Sequence, residues 1–145
     1  MKISRDKKLK EIKIFKPGSF KDFRGEIWTN WEKKYLKNVN FNLSKFTKSK
    51  KNVLRGFHGD KKSWKLISCI KGEILNVVVD YRKNSKTYLK HTFFYLNDKN
   101  RTPIERAGDL FQIAIPLSGV GYTYYSDLGG LSKADLGFLY LGYRF

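Results

Sequence analysis

The chain has 145 residues and a formal net charge of +17, from 30 Lys and Arg against 13 Asp and Glu. This length predicts a single domain over residues 1–145, and a hydrophobic content of 41% is enough for a buried core. One cysteine excludes an internal disulfide and a cysteine-rich metal site, and no apolar run is long enough to cross a bilayer. Because the N-terminus also lacks the apolar segment of a secretory signal, we expect a soluble, cytoplasmic protein.

Two predicted strands and a lysine-rich region make up the N-terminal part of the chain. Residues 11–15 alternate charged and apolar side chains, which predicts an edge strand that ends in a turn at residues 16–19. Gly25 can bend the backbone before a second strand, which includes residues 27–28. Residues 32–52 are polar and rich in lysine, and we expect them to contain one strand between loops.

From residue 53 onward, β-branched and aromatic residues dominate short segments that turn residues separate. Cys69 lies in one of these segments and is expected to be a buried core residue. No long helical period is present, so the pattern predicts an all-β sandwich or barrel. The predicted strands are residues 53–57, 65–70, 74–81, 88–96 and 111–116, the last ending at a proline.

The residues best suited to catalysis and binding lie close together in the sequence. Arg55 and His58 belong to residues 54–58, and Lys65 belongs to the next predicted strand. Arginine donates a fork of hydrogen bonds that suits phosphate, and histidine moves protons near neutral pH. The sequence Leu-Arg-Gly-Phe-His resembles the Leu-Arg-Gly-x-His signature of the dTDP-4-dehydrorhamnose 3,5-epimerase family. Further matches follow the order of the family at residues 22–25, 65–67 with 72–73, and 79–82 with 85 and 87.

The resemblance implies a fold and an activity. The fold would be a double-stranded β-helix, the jelly roll of cupin-like barrels. The activity would be epimerisation at C3, C5 or both of a nucleotide-linked 4-keto-6-deoxy sugar, in the synthesis of a surface polysaccharide of rhamnose or deoxyheptose type. The partners would be a nucleotide-diphosphate sugar and a second copy of the chain, since an open barrel exposes strand edges that a dimer covers.

Five residues receive roles from this resemblance. His58 would be the base, Tyr140 the acid on the opposite face of the sugar, and Lys65 the cation beside the enolate oxygen. Arg24 and Arg55 would bind the diphosphate. The scheme requires neither a metal nor another cofactor.

The chain departs from the pattern of the family in three places. Residues 43–45 replace a Gln-x-Asn that contacts substrate, and Val120 stands near the position of a second pocket histidine. The carboxylate that orients the base comes from a C-terminal segment of the family that we do not find here. Asp80 is a possible internal replacement, as is Asp60, although Asp80 could instead pair only with Arg82.

These departures leave other hypotheses open. The sugar could be linked to GDP or CDP, or the protein could bind a nucleotide sugar without catalysing proton transfer. The high positive charge also fits a nucleic-acid-binding barrel, or simply a solvated surface rich in lysine. We favour the nucleotide sugar over nucleic acid because no combined basic and aromatic binding motif is present.

Overall fold

The computed structural model describes residues 1–36, 39, 41, 43–50, 53–59, 64–107 and 110–127. At residues 43, 45, 57, 58, 107 and 111–127 it describes the backbone alone. Apart from one short 3-10 turn at Lys33–Tyr35, the regular structure of these ranges consists of strands, which confirms the all-β prediction. The strands are β1 (Lys2–Arg5), β2 (Lys13–Lys16), β3 (Ser19–Asp22), β4 (Gly25–Trp28), β5 (Leu43–Ser49), β6 (Arg55–His58), β7 (Trp64–Asp80), β8 (His91–Asn97), β9 (Ile104–Ala107) and β10 (Leu110–Asp127).

Eight of the strands form one antiparallel sheet in the order β1-β2-β9-β7-β10-β5, in which β6 also pairs with β10 and β8 with β7. Strands β3 and β4 form a separate two-stranded sheet. The prediction that residues 11–15 form an edge strand is wrong, because β2 lies between β1 and β9. All four residues of β1 are exposed, so its sequence has no buried apolar side chains that would indicate a strand.

Strands β7 and β10 are longer than predicted. The turn expected at residues 71–72 lies inside β7, where Gly72 adopts a φ of +85° that lets the backbone bend while pairing continues. Strand β10 does not end at Pro116 but continues to Asp127. Its register with β7 shifts between Pro116 and Ser118, a bulge that accommodates a residue without a backbone N–H.

Buried side chains lie on both faces of β7. Ile67 belongs to a first core and the adjacent Leu66 to a second, because successive side chains of a strand point to opposite faces. Cys69 is 4% exposed and belongs to the first core, which confirms its predicted burial. The first core comprises Leu9, Ile12, Ile67, Cys69, Ile74, Val78, Leu96, Ile104 and Leu110, and the second comprises Phe15, Leu36, Val39 and Leu66.

The β3–β4 hairpin is tied to the loop between β8 and β9. Both terminal nitrogens of Arg101 donate to the carboxylate oxygens of Glu26 at 2.6 Å. The guanidinium carbon also lies 4.6 Å from the centre of the Trp28 ring. In the described part of the chain, no helix has the length and apolar character needed to cross a membrane.

Candidate functional site

Strand β6 contains two of the predicted site residues, and its pairing with β10 defines their positions in the sheet. His58 lies opposite Gln112, and Arg55 lies opposite Ala114. The register shifts between these two pairs, so three steps along β6 correspond to two along β10. Arg55 and His58 therefore occupy rows that are two residues apart along β10, with the row of Ile113 between them.

Strand β7 flanks β10 on its other side and continues both rows. It places Asn76 in the row of Arg55 and Val78 in the row of His58. Neighbouring strands lie about 4.8 Å apart, so the backbones of Arg55 and Asn76 are separated by roughly 10 Å. Both Asn76 and Val78 are fully buried.

The guanidinium of Arg55 is held at the surface by the end of β5. Its Nε donates to the Ser49 hydroxyl at 2.8 Å, and its Nη2 lies 3.5 Å from the Lys48 carbonyl oxygen. Ser49 is only 5% exposed, whereas Arg55 is exposed. The sequence did not indicate Ser49, since a serine within a lysine-rich run carries no signal of burial. The contact leaves guanidinium nitrogens of Arg55 facing solvent in a fixed orientation.

Lys65 lies near the start of β7, whereas Asn76 and Val78 lie in the second half of that strand. It is 9% exposed, as the predicted inward orientation requires. Its backbone pairs with Arg106 of β9, which is fully buried and donates to the carbonyl oxygen of Leu110. The approach of Lys65 to His58 within one cavity stays a prediction.

Arg24 lies on the β3–β4 hairpin, in a different sheet from Arg55. Its side chain is 74% exposed, and its Nη2 lies 2.6 Å from Asp22 Oδ2. The hydrogen bonds from Arg24 lower the pKa of the Asp22 carboxyl. The guanidinium is also 5.7 Å from the centre of the Phe23 ring, which is 97% exposed. Joint binding of one diphosphate by Arg24 and Arg55 stays a prediction.

Asp80 is fully buried at the end of β7 and accepts five hydrogen bonds. Three come from Arg82 and one each from the hydroxyls of Ser85 and Thr87. Burial raises the pKa of Asp80, but these hydrogen bonds together outweigh it and hold the pKa well below its usual range. The expected pair with Arg82 is thus present. To orient His58, Asp80 would have to give up at least one of these donors.

Two of the nominated residues, Tyr140 and Asp60, lie outside the described residues, so their roles stay predictions. Val120 lies in β10, where the structure describes its backbone alone. Within the described ranges, no group of three or more His, Cys, Asp or Glu residues could hold a metal ion.

Comparison with known sequences places residues 6–104 within the dTDP-4-dehydrorhamnose 3,5-epimerase family. A dTDP-4-dehydrorhamnose 3,5-epimerase of Salmonella typhimurium is 33% identical over 99 residues, which are 63% of this chain and 54% of the relative. One of Methanothermobacter thermautotrophicus is 36% identical over 94 residues, which are 61% of this chain and 51% of the relative. The chain thus spans about half the length of the curated relatives it matches.

Solved structures of similar proteins agree with this result. The dTDP-4-dehydrorhamnose 3,5-epimerase of Elizabethkingia anophelis is 29% identical, with a TM-score of 0.80 over 92% of this chain and 76% of that one. The enzyme of Bacillus anthracis, solved with TDP and PPi bound, is 25% identical, with a TM-score of 0.83 over 92% of this chain and 80% of that one. The likeness confirms the predicted double-stranded β-helix. Since the family match also covers more than half of the chain, the chain belongs to the dTDP-4-dehydrorhamnose 3,5-epimerase family.

Proposed function

We propose that this protein is an isomerase that inverts C3, C5 or both of a nucleotide-linked 4-keto-6-deoxy sugar. The observation that carries the proposal is the placement of Arg55 and His58 on β6, in rows two residues apart that continue across β10 to buried positions of β7. The arginine that would bind phosphate and the histidine that would transfer the proton are thus three residues apart on one strand of the sheet. Membership of the family supports the same reaction.

The chemistry follows from the 4-keto group. It makes the hydrogens on C3 and C5 acidic, because the carbanion that remains is an enolate with its charge on the ketone oxygen. His58 would remove the proton, Tyr140 would return one from the opposite face, and Lys65 would stabilise the enolate oxygen. A positioned acid or base typically contributes about 10²–10⁴-fold in rate. A fixed charge at the oxyanion contributes about as much.

Binding would depend on arginine. The Ser49 hydroxyl orients the guanidinium of Arg55, which favours a forked contact with a diphosphate, and Arg24 would bring a second guanidinium. We favour a dTDP-linked sugar because the curated relatives carry that activity in their names, and because the Bacillus anthracis enzyme was solved with TDP and PPi. We further propose a single domain, a homodimer and a cytoplasmic location, with no cofactor and no nucleic-acid partner.

The test is hydrogen exchange at the sugar carbons. The purified protein is incubated in D2O with dTDP- and GDP-linked 4-keto-6-deoxy sugars, and NMR follows deuterium at C3 and C5. We expect incorporation at one or both carbons with the dTDP-linked sugar. His58→Ala should slow it at least about 100-fold, because it removes the base. His91→Ala is the matched control, since His91 is the other histidine of the chain and is exposed at the start of β8.

Two results would contradict the proposal. Exchange that persists at the normal rate in His58→Ala would show that another group is the base. Binding of the sugar nucleotides by the wild type without any exchange would instead identify a catalytically silent binding protein.

A further inference from the structure

Asn76 has an unusual environment in the middle of β7. Its side chain is fully buried, and neither the amide nitrogen nor the amide oxygen has a hydrogen-bond partner among the described residues. Its backbone pairs with Phe94 of β8 and Ala114 of β10, so strand pairing does not occupy the side chain. Buried polar groups are nearly always paired, and an exception calls for an explanation.

The position of Asn76 is one where an apolar side chain would stabilise the fold. It alternates along β7 with Ile74 and Val78, both members of the first core, and therefore lies on the same face as they do. Leucine branches at Cγ as asparagine does, although it is larger, and would leave no unpaired amide there. Asparagine at this position therefore lowers the stability of the fold, as is common for residues that bind a ligand.

We propose that the side-chain amide of Asn76 binds the sugar half of the nucleotide sugar. The inference rests on the proposed function, because it concerns the same ligand. Asn76 stands in the row of Arg55, two residues along β7 from Val78 in the row of His58. It therefore faces β6 across β10, level with the group assigned to phosphate and two residues along from the group assigned to the reacting carbons.

The chemistry of the amide favours the sugar over the diphosphate. An amide has two N–H donors and one carbonyl acceptor, whereas phosphate oxygens only accept. A phosphate would leave the Asn76 oxygen unpaired. Sugar hydroxyls both donate and accept, and a keto oxygen accepts, so a keto sugar can satisfy both ends of the amide.

Ser68 provides a matched control on the same strand. Its hydroxyl is also buried, with 4% of the residue exposed, and also has no partner among the described residues. Strand alternation, however, places Ser68 on the face of Leu66 and the second core. Ser68→Ala therefore removes an unpaired buried polar group without touching the face of Asn76.

The experiment compares the affinities of dTDP and a dTDP-linked 6-deoxy sugar for the wild type, Asn76→Leu and Ser68→Ala, by calorimetry, with thermal unfolding of each protein. Asn76→Leu should bind the sugar nucleotide at least about 10-fold more weakly and bind dTDP unchanged, while its cooperative thermal unfolding shows that the variant is folded. Ser68→Ala should bind both ligands as the wild type does. If Asn76→Leu fails to unfold cooperatively, Asn76→Ala is compared in the same way.

Equal binding of the sugar nucleotide by the wild type and the Asn76 variant would overturn the inference. A parallel loss of affinity for dTDP and for its sugar conjugate would also overturn it, because the amide would then not act on the sugar. Failure of the wild type itself to bind either ligand would refute the proposed function, and the inference with it. The wild-type measurement therefore separates the two failures.

Discussion

Replacement of Asp80 by asparagine tests the network that closes the loop between β7 and β8. Asp80→Asn keeps the volume of the side chain but turns one acceptor oxygen into an N–H donor. The hydroxyls of Ser85 and Thr87, both 2.6 Å from Oδ2, and the Arg82 guanidinium would then compete for one remaining oxygen. Asp80 is fully buried, so water cannot replace the lost acceptor.

The expected cost is large for a single substitution. Removing one partner of a buried ion pair costs about 3–5 kcal/mol, out of the 5–15 kcal/mol that typically separates folded and unfolded domains. For a chain of this length, we expect the melting temperature to fall by roughly 10–15 °C. The effect should depend on pH, because the pKa of Asp80 is lowered in the folded state. The stabilisation is therefore complete above the unfolded pKa of about 4 and is lost as pH falls through the folded value.

Urea unfolding followed by circular dichroism at pH 7 and pH 3 measures both effects. The difference between the wild type and Asp80→Asn should be smaller at pH 3. Glu11→Gln is the control, since Glu11 is 41% exposed and meets Arg82 at 2.9 Å, and it should cost less than about 1 kcal/mol. A cost below about 1 kcal/mol for Asp80→Asn at pH 7, or the same difference at both pH values, would refute the reasoning.

Two further predictions concern Ser49 and Leu89. Ser49→Ala should weaken the binding of dTDP about 3- to 10-fold, because it removes the hydroxyl that orients Arg55, and calorimetry would contradict this if the affinity were unchanged. Leu89 has a φ of +62° and is 55% exposed, so Leu89→Gly should be more stable than Leu89→Ala by about 1 kcal/mol. Equal melting temperatures for these two variants would show that the left-handed backbone costs little.

The sequence predicted those parts of the fold in which apolar periodicity and sheet pairing agree. Strand β6 and both halves of β7 were expected, because β-branched and apolar residues dominate them. Strand β1 has no buried side chain. Strand β9 contains two apolar residues and two buried charged residues, Glu105 and Arg106. Neither strand therefore shows a simple alternation of apolar and polar side chains. Strand β8 begins at His91 and not at residue 88, because the left-handed backbone of Leu89 belongs to the preceding turn.

Residue types and motifs in the sequence predicted several residues of the candidate site, but they did not predict all of the polar side chains that are buried. Arg55, His58 and Lys65 were nominated because their chemistry suits a nucleotide sugar. Asn76 and Ser49 were missed, since a polar residue within a strand pattern usually faces solvent. The burial of both side chains, the contact of Ser49 with Arg55, and an Asn76 amide without a partner among the described residues distinguish them from surface residues.

The position of β9 between β2 and β7 has a consequence for the order of folding. Strands β7 and β8 are neighbours in sequence and can pair early. Lys13 of β2 and Glu105 of β9 pair although most of the chain separates them in sequence, and such contacts form slowly. Until β2 arrives, the Glu105 carboxylate is free of Lys13, which lies 2.9 Å from it in the folded state. We therefore expect the N-terminal strands to dock late in folding, in a step that removes water from the charge of Glu105. Substitutions in β2 should accelerate unfolding more than they slow folding.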